Sequence, residues 1–230
     1  MAMRVARNAL RHPASSVRRA ALQMLPRNAE LEGDIFDAGI LPDRKSPWPV
    51  EYTIPTSILQ DADAHVRLEA LLALAELPAS ARAAASLADV ISSPDNARDP
   101  WMPEGVMLAG VKQGPSFVGT LARLRVPGND SIAVRGMSRT MQKLARVHAT
   151  EADAGVVTGM IAHVPNTAAP LAIAMLDGIA QGWPEERPPV LTAEQKTALV
   201  TAARGASPDL QAAFGRVAAR WTLPDVFKQP

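Results

Sequence analysis

Histidine is the side chain best suited to hold a metal or to pass a proton near neutral pH, and the chain has four: His12, His65, His148 and His163. A zinc site needs three or four convergent ligands, usually announced by donors one helical turn apart. The four histidines share no such spacing with one another, or with a suitable carboxylate pair on one helix face. His12 precedes a proline in a turn and His65 opens a helix, so both are expected in solvent. With no cysteine in 230 residues there is no disulfide, thiolate ligand, Cys nucleophile or Cys-x-x-Cys-His haem attachment. Gly110, Gly114 and Gly119 build no phosphate loop, because no Gly-Lys-Ser/Thr follows and no strand precedes. They mark tight turns and helix contacts instead. A Gly-x-Ser-x-Gly nucleophile elbow is also missing. The expectation is a chain with no catalytic centre, no metal and no cofactor.

Binding is the remaining chemistry, and two stretches bear on it. Residues 41–57 carry Pro42, Pro47, Pro49 and Pro55, which bar a helix through the middle, with Trp48, Tyr52, Arg44 and Lys45 between and beside them. A loop of that length with no secondary structure of its own is often functional, so these four residues are the candidate interaction site; the competing reading has Trp48 and Tyr52 tuck down and pin the loop. Residues 1–29 contain Arg4, Arg7, Arg11, Arg18, Arg19 and Arg27 and no acid, although the whole chain balances at +1. A targeting segment, a nucleic-acid patch and the solvated end of a helical stack all have this composition; the last is preferred.

The elements that would position these residues are helices. No run of alternating β-branched residues is long enough for a sheet, and no apolar stretch is long enough to span a membrane. Caps and breakers place helices at 2–11, about 15–25, 28–40, 64–77, 80–91, 100–112, 116–125, 131–148, 151–163, 167–181, 192–204 and 208–221. Residues 183–190, rich in proline, read as an extended connector. Aromatic residues make up only 4% of the chain, so helix contacts fall to Ala, Leu, Val and Met.

A weak internal repeat orders these helices. Val17-Arg18-Arg19-Ala20-Ala21-Leu22 returns forty-nine residues later as Val66-Arg67-Leu68-Glu69-Ala70-Leu71, behind the acidic turn Asp61-Ala62-Asp63. The period is close to that of two-helix solenoid units. From Asp61 to Pro78 the pattern of acidic turn, Val66, Arg67, Ala70 and Leu74 resembles a HEAT or armadillo repeat. The wider run is similar to the HEAT-like segment of large bacterial dehydrogenase-type proteins, which join a sugar-dehydrogenase-like propeller, a helical repeat region and a haem-binding cytochrome domain. That run comprises His12-Pro13 with Val17-Arg18-Arg19-Ala20-Ala21, the string from Val66 to Pro78, Asn96-Ala97-Arg98-Asp99-Pro100-Trp101, and Gly182-Trp183-Pro184 through Arg187-Pro188. The resemblance implies an all-α single unit over 1–230, an α-solenoid of about five irregular antiparallel helix pairs. It further implies an exported or periplasmic parent; the chain itself names no compartment.

On a helical wheel Arg67 falls opposite the outer stripe of His65, Glu69, Leu72 and Glu76. A guanidinium on the apolar side stays charged and needs a partner; Asp61, Asp63 or the carbonyls at a helix end can supply one. Arg18 holds the equivalent place one unit earlier and is expected to reach the same turn. Arg18, Arg67, Asp61 and Asp63 are thus expected as a structural clasp between units. The third unit carries Met102 at this place, where the ladder should stop, and Trp101, equivalent to Val66, is assigned to the core. The function expected is a monomeric scaffold or protein-interaction module, working with a protein partner or flanking domains. The alternative is a free-standing nucleic-acid binder using the face from Arg4 to Arg27.

Overall fold

The computed structural model describes residues 2–37, 57–126, 131–151 and 153–227. Among them are thirteen α-helices, two single turns of 3₁₀ helix at Ile58–Gln60 and Val164–Asn166, and no strand. The helices are α1 (Ala2–Ala9), α2 (Ser15–Met24), α3 (Ala29–Phe36), α4 (Ala64–Glu76), α5 (Ala81–Ser92), α6 (Pro94–Arg98), α7 (Met102–Gln113), α8 (Pro115–Ala122), α9 (Ser131–Glu151), α10 (Ala154–Ile161), α11 (Ala169–Gly182), α12 (Ala193–Ala203) and α13 (Pro208–Arg220). The chain is all-α.

Local chemistry explains most of the boundaries. The Asn28 side chain accepts from the amides of Glu30 and Leu31, which starts α3 despite Gly33. Asp63, Ser80, Asp153, Thr192 and Ser207 cap α4, α5, α10, α12 and α13, and Thr192 with Gln195 closes a full capping box. Two details depart from the sequence reading. Between the helices expected at 80–91 and 100–112 lies an extra helix, α6, with Pro94 at its first position, where its missing N–H costs nothing. Trp101, assigned to the core, is 66% exposed. The Asp99 carboxylate accepts from the amides of both Trp101 and Met102, so α7 starts at Met102 and this residue is buried in place of the tryptophan. A comparison with α4 that counts from Val66 therefore runs one residue short.

Packing follows chain order. The helices α2, α4, α7, α9, α11 and α13 form a row in which each packs on the next, and α5, α8, α10 and α12 form a second row. Contacts of α5 with α7, α8 with α9, α10 with α11 and α12 with α13 join the rows. One hydrophobic core runs throughout, built largely of Leu, Ala, Val, Ile and Met. At the C-terminal end it holds Trp183 edge-on to Trp221 at 5.7 Å, with Phe214 and Phe227 beside them. The 183–190 segment turns back rather than extending: Trp183 Nε1 donates to the Arg187 carbonyl at 2.6 Å, and the Arg187 guanidinium lies over the indole at 4.4 Å. The approach of α9 to α11 is close enough to need glycine. A Cβ at Gly178 would stand 2.2 Å from the Gln142 carbonyl oxygen, and one at Gly182 would stand 2.1 Å from that of Arg146.

Polar bridges tie neighbours in the first row. Gln23 and Arg27 of the α2 region meet Glu69 and Glu76 of α4, Glu104 of α7 meets Lys143 of α9, and Asp177 of α11 meets Arg216 of α13.

Candidate functional site

The turn before α4 gathers a buried, charged group. Asp61, with its side chain wholly buried, follows the 3₁₀ turn Ile58–Gln60. One of its carboxylate oxygens accepts from its own chain at the Asp63 amide (2.9 Å) and from Arg18 Nη2 (2.6 Å); the other accepts from Arg18 Nε (2.7 Å). The guanidinium of Arg18, 4% exposed, uses Nη1 to bond the carbonyls of His12 and Pro13, each at 2.8 Å. One side chain thereby joins the α1–α2 turn, α2 itself and the turn before α4. Such a two-pronged, charge-assisted pair is the strongest polar contact a protein makes between side chains.

Arg67 reaches the same turn from above, through the backbone. Its Nη1 donates to the carbonyls of Asp61 (2.6 Å) and Ala62 (3.2 Å), while its Nε is buried without a hydrogen-bond partner. The two arginines share Asp61, one at the carboxylate and one at the carbonyl. Asp63 serves the helix: it accepts from the His65 amide at 2.8 Å. A hydrogen bond from Ser15, reinforced by the amides of His65 and Val66, holds its carboxyl down at about 2. Met102, in the third unit, is an apolar core residue.

Beside this node lies an open cleft of about 410 Å³, walled by Phe36, Leu59, Arg67, Arg82, Ser86 and Asp89. Arg82 grips Asp37 with both nitrogens (2.8 and 2.5 Å) and lies 4.9 Å over the Phe36 ring. Hydrogen bonding from Arg82 holds the Asp37 carboxyl below its ordinary value. The cleft thus offers guanidinium edges, hydroxyls, carboxylates and one aromatic ring. The proposed loop residues Trp48, Tyr52, Arg44 and Lys45 lie outside the described residues.

The histidines stay apart. His12 Nδ1 accepts the Ala14 amide at 3.0 Å, and His65 is largely in solvent beside Asp63. His163 packs on Gly119, where a Cβ would come within 2.8 Å of its Nε2. His148 is buried on α9 with Nε2 unpartnered, and burial pushes its pKa below the usual histidine value. Among the described residues no group of three or more His, Asp or Glu side chains is arranged to hold a metal. The described helices include none long and apolar enough to cross a membrane.

Three of the six N-terminal arginines are engaged in ion pairs, while Arg4 and Arg19 are exposed without one among the described residues. Arg7 binds Asp34 at 2.8 Å and also Glu30, Arg18 binds Asp61, and Arg27 binds Glu76 and two carbonyls of its own turn. Sequence inspection passed over another set of basic residues: Arg135, Arg139 and Arg146 of α9 are exposed and have no ion-pair partner among the described residues. Their spacing of four and then seven residues was the available signal.

No protein-family model, curated protein or solved structure matches the chain.

Proposed function

We propose that the chain is a HEAT-type α-solenoid of about five irregular helix pairs that works as a scaffold for protein interaction. The observation that carries this reading is the Arg18–Asp61–Arg67 node. Two arginines at equivalent places of consecutive units converge on one acidic turn, and the surrounding helices pack in chain order. A stack in which each unit touches only its neighbours presents long faces and broad clefts. The cleft beside Arg67 and the outer face of the α2-to-α13 row are such surfaces. The resemblance to the helical segment of exported dehydrogenase-type proteins suggests that flanking domains or a partner protein dock there.

The engagement of Arg7, Arg18 and Arg27 with Asp34, Asp61 and Glu76 weakens the rival reading, in which the N-terminal arginines bind nucleic acid, because it leaves that face Arg4 and Arg19 as exposed arginines without an ion pair. Free phosphate-binding cations are what such binding requires.

Photo-cross-linking in the cell that makes the full protein separates the two. With the photoreactive residue at Ser86 in the cleft, the scaffold reading expects a saturable adduct with one defined polypeptide, absent when the same residue is placed at exposed Gly215. Adducts with nucleic acid, or the same diffuse background from both positions, would reject it.

A further inference from the structure

The ion pairs that bridge neighbouring helices of the row leave a set of arginines on α9 unanswered. From α2 to α4, from α7 to α9 and from α11 to α13, each bridging cation meets an acid on the adjacent helix. On a wheel of 100° per residue, Arg135, Arg139, Gln142 and Arg146 fall in one stripe about 60° wide, with Lys143 at its edge. Lys143 is answered by Glu104 at 2.5 Å. The three arginines are not answered, and α9 contains no acid before Glu151. On the far side, Asp177 of α11 is already bound to Arg216. Arg135 and Arg146 stand about 16 Å apart along the axis at the usual helical rise.

Beside this stripe runs a second one that carries two large exposed apolar side chains. Thr140 bonds the Pro103 carbonyl and Lys143 bonds Glu104, while Leu144 further along α9 lies against Gly110 further along α7, so the two helices run in the same direction. Trp101, Leu108 and Lys112 recur at seven and four residues and share one side of α7. Trp101 is 66% exposed, Leu108 is 48% exposed, and Ile132 at the start of α9 is 49% exposed. Large apolar side chains set next to arginines that lack partners are the composition of an interaction surface, where Trp and Arg carry most of the binding energy.

We infer that the α7–α9 face docks an acidic, amphipathic helical segment of a partner protein. Its carboxylates pair with Arg135, Arg139 and Arg146, and its apolar side covers Trp101 and Leu108. The length fits: anchors seven residues apart on α7 are about 10 Å apart, two turns of a helix laid alongside. Charge complementarity selects an acidic occupant. A single-stranded nucleic acid is the poorer fit, since it would use successive aromatic platforms along its track, whereas this face has one exposed indole and aliphatic side chains elsewhere. The inference rests on the scaffold reading and names the partner chemistry for one of its faces.

Fluorescence anisotropy tests it with three labelled probes: a peptide of about 18 residues built from Leu, Ala and Glu with helical amphipathic spacing, the same peptide with Gln for Glu, and an oligothymidylate of about 20 nucleotides. The Glu peptide should bind the full chain at least about tenfold more tightly than the Gln peptide. Arg139→Glu combined with Arg146→Glu, and separately Trp101→Ala, should each weaken it by about tenfold or more. All three side chains are exposed and remote from core contacts, so melting curves should match the parent and a loss of binding is not a loss of fold. Tighter binding of the oligothymidylate, abolished by the same arginine changes, would make the stripe a phosphate track and overturn the inference. Equal binding of the Glu and Gln peptides, insensitivity to the variants, or no peptide binding would also overturn it. A saturable polypeptide cross-link at Ser86 alongside any of these results rejects the α7–α9 assignment alone and leaves the scaffold reading standing.

Discussion

A carboxylate with no exposed surface survives folding only if its charge is answered in place, and at Asp61 the answer is a single guanidinium. Removing either partner leaves the other buried and uncompensated. Arg18→Ala and Asp61→Ala are each expected to lose about 3–5 kcal/mol in urea unfolding. The paired change Arg18→Met with Asp61→Leu should recover much of that, because two apolar groups avoid desolvating two charges. Arg67 is in a different position, with one nitrogen on two carbonyls and Nε unpartnered, so Arg67→Lys should cost about 1 kcal/mol. The Val-Arg repeat in the sequence led to both arginines. It could not tell which of them reaches the carboxylate, because that depends on how the His12-Pro13 turn sets α2 over Asp61. His148 yields a pH prediction. Its folded pKa is depressed by burial below the ordinary 6.5, so the unfolded chain binds its proton first. Stability from the neutral ring is present above 6.5 and declines as pH falls through the lower folded value. Chemical denaturation between pH 7.5 and pH 5 should show that slope, and His148→Phe should flatten it.

Helix positions were the most legible feature of the sequence, because serine, asparagine and aspartate side chains cap the first backbone amides and proline, lacking an N–H, cannot sit in the interior of a helix. The failures are equally physical. The extra helix α6 is absent from the sequence reading because Pro94, which follows the end of α5, is equally at home in a first turn. Trp101 was placed in the core by counting from Val66, and the double acceptance by Asp99 shifted the start of α7 by one residue. The α9–α11 contact was not foreseen, since glycines in a helix mark a close approach without naming the partner. That contact can be tested. Gly178→Ala and Gly182→Ala press a methyl into the α9 backbone and should each cost about 1–3 kcal/mol or more. Gly215→Ala in α13, with nothing within 4 Å, should stabilise by about 0.4–1 kcal/mol. Thermal melts of the three variants compare them directly.

Across the whole molecule, packing in chain order has an energetic consequence. If each unit is held chiefly by its neighbours, damage at one joint should spread only a unit or two, whereas in a single cooperative globule it spreads everywhere. The candidate binding surfaces were less legible than the stack. The α9 arginine stripe is plain on a helical wheel, but its lack of partners emerges only when Glu104 is seen to meet Lys143, and Asp177 to meet Arg216. The cleft beside Arg67 is assembled from the consecutive elements between Phe36 and Asn96, and its walls meet only once α3, α4 and α5 have packed. The most direct test of a neighbour-coupled stack is hydrogen exchange by mass spectrometry on the parent and on Arg18→Ala, under conditions where both remain folded. Protection should fall in α1 through α4 and stay at parent levels in α9 through α13. An equal loss of protection across all thirteen helices would show one cooperative unit and contradict the repeat architecture on which the scaffold proposal rests.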